Sequence, residues 1–192
     1  MNLIELFETQ SKLDARIVEE KGLQERDLLP EKVLALLTEL GELANEWRGF
    51  KFWSNDQESR NHLEKYETMD GHNFYAAHRN PLLEEYVDNL HFILSLGLEL
   101  HPKVAHMEWA KDYEGYVDNP SHLIRTASTT DVFTALYKRV VVFMDSQELT
   151  DYAKLFYLFF TLGRKLDFTL DQIETAYYLK NEINHERQNT NY

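Results

Sequence analysis

Leu82-Leu83-Glu84-Glu85-Tyr86-Val87-Asp88-Asn89-Leu90-His91-Phe92-Ile93-Leu94-Ser95-Leu96-Gly97-Leu98-Glu99-Leu100 reads as a helix with almost no polar side. At the 3.6 period its apolar residues cover nearly the whole circumference, and Glu85, Asp88, His91, Ser95 and Glu99 form one narrow stripe. A helix apolar nearly all round is a buried helix, so the rest of the chain must wrap it. Carboxylates on such a helix must be paired, protonated or bound to a metal.

A second strongly helical stretch begins at Pro30-Glu31 and runs to about Trp47-Arg48-Gly49, with proline in its favoured early position. Val33, Leu36, Leu37, Leu40, Leu43, Ala44 and Trp47 share one broad face, and Glu39, Glu42 and Glu46 run along its edge. The pattern E-x-x-E is common on solvated helix faces, but these glutamates border the core instead of opposing it. Residues three apart lie on the same side of a helix, so Glu39-x-x-Glu42 and Glu85-x-x-Asp88 are each a two-toothed oxygen clamp. Oxygen clamps suit Mg²⁺ or Mn²⁺ rather than zinc. Four carboxylates that a bundle can aim at one point predict metal-assisted chemistry on phosphates.

Composition narrows the class. Four prolines, seven glycines, no G-x-G-x-x-G and no alternating strand pattern predict an all-α protein. At 192 residues, 43% of them hydrophobic, one domain over 1–192 with a full core is expected. The net charge of −13 argues against nucleic acid or anionic membrane as partners, though not against a nucleotide brought in with metal. Cysteine is absent, which excludes disulfides, a thiol nucleophile and zinc–thiolate sites. Met1-Asn2-Leu3-Ile4-Glu5 lacks a basic run followed by an apolar one, and no segment approaches a membrane span; a cytoplasmic protein is expected.

Outward from the two acidic helices, the pattern predicts a bundle of about six main helices. The first spans residues 3–20 and closes near Lys21-Gly22. Residues 54–81 are polar and aperiodic and read as a long loop or lid with short helical pieces, a length uncommon in compact domains unless functional. Segment 102–128, with Pro102, Gly115 and Pro120, reads as an irregular or short-helix connection. A fourth helix follows Thr129, Thr130 and Asp131, and a fifth covers about 148–163. The sixth opens on the capping box Thr169-x-x-Gln172 and runs to about Gln188. On this last helix Ile173, Ala176, Tyr177 and Ile183 mark the inner face. Lys180, Asn184 and Arg187 fall on that same face, while Glu182 and His185 point away. Inward cations need anions. A bound triphosphate or acidic residues of neighbouring helices would both serve.

Three runs, in order, carry a family resemblance. Leu36-Leu37-Thr38-Glu39-Leu40-Gly41-Glu42-Leu43-Ala44-Asn45-Glu46-Trp47, continued by Phe50-Lys51-Phe52-Trp53-Ser54, resembles the first motif of the dimeric all-α dUTPases. Residues 83–97 resemble the second, and Ala176-Tyr177-x-x-Lys180-Asn181-x-x-Asn184-x-x-Arg187-Gln188-x-x-x-Tyr192 the C-terminal one. The two acidic motifs alone would indicate only the broader MazG-like nucleoside triphosphate pyrophosphohydrolases. The resemblance implies Mg²⁺-dependent hydrolysis of dUTP to dUMP and pyrophosphate, with Mn²⁺ as a substitute ion and dUDP as a further candidate substrate. It implies that Glu39, Glu42, Glu85 and Asp88 hold the metal and that Glu39 is also catalytic, activating the attacking water. Lys180 and Arg187 would hold phosphate oxygens, and Asn184 the deoxyribose hydroxyl or base. His91 and Phe92 would abut the nucleoside, Gln10 would read the base with Asp14 a weaker match, and Gln188 belongs to the same motif. Lys51 and Trp53 would close over phosphate and base. The resemblance also implies a homodimer, for which the fourth and fifth helices are the most apolar candidates; Phe156-Tyr157-Leu158-Phe159-Phe160 is apolar on every side.

Two rivals fit parts of the pattern. Asp88-x-x-His91 and Glu182-x-x-His185 imitate the acid-x-x-His pairs of a ferritin-type di-iron bundle. Glu182 and His185, however, face away from the Ile173 and Tyr177 side. A non-catalytic helical interaction protein would leave the carboxylates on the buried helix unexplained.

Overall fold

The computed structural model describes residues 1–69, 72–100 and 126–190. Among them six helices form the body: α1 Leu3–Lys21, α2 Leu29–Trp47, α3 Pro81–Leu100, α4 Thr129–Ser146, α5 Leu149–Lys165 and α6 Leu170–Asn189. The expected all-α class holds.

Local chemistry sets most helix ends. The Asn2 side chain accepts the Glu5 amide at the start of α1, and Gly22, at φ 64°, takes the left-handed position that ends it. Reciprocal capping boxes open α4, from Ser128 and Asp131, and α6, from Thr169 and Gln172.

Helix α3 is the hub, packing against α1, α2, α5 and α6. Tyr86, Leu90, Ile93, Leu94 and Leu96 are fully enclosed, as an all-round apolar helix requires. Its approach to α5 is close. Tyr86 stacks on Phe159 with ring centres 4.3 Å apart, and the Tyr152 hydroxyl donates to the Ile93 carbonyl across 3.0 Å. Gly97 sits beneath the Tyr152 ring, where a Cβ would stand 2.6 Å from Tyr152 Cζ.

Residues 54–81 correct the expectation of a loop with helical pieces. Strands β1, Leu63–Met69, and β2, His72–Arg79, pair antiparallel from Leu63 opposite Arg79 to Met69 opposite His72, with an irregularity between Lys65 and Tyr66. Tyr66, Thr68, Phe74 and Tyr75 are strand-favouring types, and Asp70-Gly71 between the runs is a hairpin signal that outweighs their polar neighbours. The stretch before it is strapped to α2: the Arg60 amide donates to the Glu46 carbonyl, and Arg48 and Arg60 both pair with Asp56.

Two packing expectations are also corrected. Ile183 is exposed, because the buried stripe of α6 descends through Ile173, Tyr177 and Asn181, and Ile183 stands about 200° round the helix from Asn181. Helix α5 has no large uncovered apolar side: Phe156, Phe159 and Phe160 are buried within the single chain. On α4 and α5, the large apolar side chains left outside are Val141, Val142 and Met144, all of α4. Of segment 102–128, residues 102–125 lie outside the described residues, as does Tyr192. Among the described residues no helix is long and apolar enough to cross a membrane.

Candidate active site

Packing α2 on α3 turns the two acidic motifs toward each other. Glu39 from α2 and Glu85 and Asp88 from α3 each offer a carboxylate oxygen, and the three oxygens lie within 4.8 Å of one another. Glu42, one turn beyond Glu39, is solvent-exposed and outside this group, although its charge is felt at both Glu39 and Glu85. Partial burial, reinforced by Asp88 and by the other glutamates, raises Glu39 and Glu85 from the ordinary carboxyl range to about 7. Burial pushes Asp88 up as well, against the pull of Lys180.

Helix α6 supplies the cations. Lys180 Nζ stands 2.5 Å from Asp88 Oδ2, both groups largely shielded from water. The inward lysine therefore meets its anion on a neighbouring helix. One turn on, Arg187 Nη1 donates to Asn184 Oδ1 at 3.4 Å.

Beside the carboxylates a cavity of about 470 Å³ opens among α1, α2, α3 and α6. Glu39, Asp88, Asn184, Arg187 and Gln188 line its polar side, Gln10, Asp14, His91, Phe92 and Ser95 its inner wall, and Leu13, Ile17 and Val18 its apolar side. A pocket largely apolar with a few convergent polar groups is what a nucleoside needs. Lys51 and Trp53 are not among the lining residues. They lie beyond the end of α2, with Lys51 Nζ 5.7 Å from the Phe50 ring centre and Trp53 exposed in edge contact with Phe50 and Phe52.

The inner wall is wired. Tyr177 donates its hydroxyl hydrogen to Gln10 Oε1 at 2.9 Å, and His91 Nδ1 lies 2.7 Å from the same oxygen. Gln10 Nε2 donates to Asp14 Oδ1 at 2.7 Å, and Ser95 Oγ donates to Asp14 Oδ2 at 2.5 Å. Lys32 Nζ adds a charge 3.5 Å from Asp14 and also pairs with Glu99. Burial drives the His91 imidazole down to about 3, so it is neutral near pH 7. Sequence periodicity placed Ser95 and Glu99 on the acidic stripe but gave Lys32 and the Tyr177 hydroxyl no role.

Whether the cluster suits a hard cation can be tested on its own atoms. Glu85 Oε2 is buried with no hydrogen-bond partner, an arrangement that costs free energy unless a ligand satisfies it. The donors are all carboxylate oxygens, the set preferred by Mg²⁺ and Mn²⁺. The residues therefore fit a divalent ion. His91 Nε2 and Gln188 Oε1, both on residues lining the cavity, are likewise buried without partners.

No curated protein matches the chain. The family model described as dUTPase matches residues 2–80 and 73–192, which together span all but the first residue. With three carboxylates converging beside a nucleoside-sized cavity, and a family match along nearly its whole length, the chain belongs to the all-α dUTPase family.

Proposed function

We propose that this chain hydrolyses dUTP to dUMP and pyrophosphate at the cavity between α1, α2, α3 and α6, using Mg²⁺ held by Glu39, Glu42, Glu85 and Asp88. The observation that carries the reading is the convergence of Glu39, Glu85 and Asp88 on one point at the cavity's polar side. Mn²⁺ would serve as a substitute. When bound, the ion supplies charge neutralisation at the phosphate oxygens and acidifies water in its reach.

The protein groups do the rest. Glu39, a carboxylate on the cavity wall, is placed to accept a proton from the attacking water. Lys180 and Arg187 face the phosphates as a point charge and a planar fork. Asn184 addresses the deoxyribose, Phe92 and His91 enclose the uracil, and Gln188 and Gln10 complete the wall. Lys51 and Trp53, outside the cavity here, would have to move inward to reach phosphate or base. The same groups would accept dUDP, whose shorter chain needs the same nucleoside pocket. A homodimer would place Val141, Val142 and Met144 of α4 against a second copy, the commonest symmetric solution for exposed apolar helix surface.

A panel of deoxynucleoside triphosphates assayed for pyrophosphate release tests the reading. Turnover of dUTP far above dTTP, with dCTP lowest, is expected. Comparable kcat/KM for dUTP, dCTP and dATP would move the protein to the broader-specificity MazG-like pyrophosphohydrolases.

A further inference from the structure

Gln10 carries a carboxamide that could in principle show a base both a donor and an acceptor. The packing forbids half of that. Its oxygen has two lone pairs, and two buried donors occupy them: the His91 ring nitrogen Nδ1 at 2.7 Å and the Tyr177 hydroxyl at 2.9 Å, nearer than that hydroxyl's other acceptor, the Leu6 carbonyl at 3.3 Å. The reverse amide orientation would push the oxygen against Asp14, which as a carboxylate can only accept. Asp14 is itself fixed by the Ser95 hydroxyl. The donor direction therefore runs from Tyr177 and His91 into Gln10 and from Gln10 into Asp14. His91 must carry its proton on Nδ1, which leaves Nε2 as a bare, buried acceptor.

Tyr177 holds this arrangement from behind. It is fully buried, its ring stacks on that of His91 with centres 4.3 Å apart and planes 23° from parallel, and it is not among the residues that line the cavity.

We infer that Tyr177 is a positioning residue for base selection: by occupying the Gln10 oxygen it leaves the base only an N–H from Gln10, with acceptors supplied by Asp14 and His91 Nε2. The inference rests on the proposal above that this cavity receives the nucleoside. Uracil offers an N3–H flanked by two carbonyl oxygens, which such a wall can satisfy. Cytosine has a bare N3 in that place, so an acceptor facing it is left unpaired. Freed from Tyr177, the Gln10 oxygen could turn inward and accept from the cytosine amino group.

The test is Tyr177→Phe, which keeps the stacked ring and removes the hydroxyl. The kcat/KM ratio of dUTP to dCTP should narrow about three- to tenfold, the worth of one neutral hydrogen bond. The kcat for dUTP should stay within about twofold, because the hydroxyl touches no reacting atom. An unchanged ratio, with only a lower melting temperature, would make Tyr177 structural and overturn the inference. Independently of any variant, ¹⁵N NMR of the wild-type protein should show neutral His91 protonated at Nδ1. A proton on Nε2 would mean that the Gln10 oxygen does not face His91 and would overturn it too. Failure of the wild type to turn over either nucleotide would instead overturn the functional reading, and this inference with it, whatever the NMR result.

Discussion

Lys180 of α6 reaches Asp88 of α3 with 2.5 Å between nitrogen and oxygen, joining the cationic helix to the acidic cluster through one partly buried ion pair. Burial chiefly, with Glu84 adding, raises the Asp88 carboxyl, and Lys180 foremost, with Arg187, opposes that rise. Lys180→Met should therefore push Asp88 further up, visible in carboxyl ¹³C titrations, and lower kcat/KM about 10- to 100-fold, the range of a lost charge-assisted hydrogen bond. In a cycle with Asp88→Asn the two losses should fall well short of adding. Full additivity would show that the two residues act apart.

Amide replacement isolates the charge of each proposed ligand while keeping its volume. Glu39→Gln, Glu42→Gln, Glu85→Gln and Asp88→Asn should each cost at least ~10²-fold in turnover with the fold intact by circular dichroism. Exposed Glu42 is the most exacting case. Wild-type rates in Glu42→Gln would reduce the set to the three carboxylates that already converge. Exhaustive chelation with EDTA should abolish turnover, and Mg²⁺ or Mn²⁺ should restore it.

Burial first, then the neighbouring carboxylates, push Glu85 up from the ordinary 4.5 to about 7. Between those values the folded protein keeps a proton that the unfolded chain has lost, so stability falls as pH rises through that window and stays reduced above it. Without added metal, Glu85→Gln should match the wild type at pH 4.5 and melt at a higher temperature at pH 8. A variant less stable than wild type at pH 8 would contradict the burial, and the neighbouring carboxylates, that raise this carboxyl. Added Mn²⁺ should bind the wild type more tightly at pH 8 than at pH 6, because the ligands must shed their protons first.

Gly97 lets the Tyr152 ring lie against the α3 backbone. Gly97→Ala places a methyl where that ring already stands, and overpacking of this kind costs about 1–3 kcal/mol. Urea denaturation should show the loss. An unaltered midpoint would mean that α5 can withdraw at no cost.

Sedimentation or light scattering at micromolar concentration should give twice the 22.8 kDa chain mass. Val141→Glu with Val142→Lys on α4 should lower it to the monomer without unfolding the chain. A wild type that is already monomeric removes the dimer proposal.

What the sequence determined by itself is everything that repeats locally along the chain. The all-round apolar pattern of 82–100 made α3 the buried hub, the 3.6 period put Glu39 beside Glu42 and Glu85 beside Asp88, and Thr169-x-x-Gln172 started α6. Such signals depend on neighbours three or four residues away, and one helix expresses them alone. Tertiary structure decided the rest, because docking angle and depth are sums over many distant contacts that no short period encodes. It selected Asp88 as the Lys180 partner, left Glu42 exposed outside the converging carboxylates, turned Ile183 to solvent, and covered α5 within one chain. It also brought the Gln10 oxygen against the hydroxyl of Tyr177, 167 residues away in the chain.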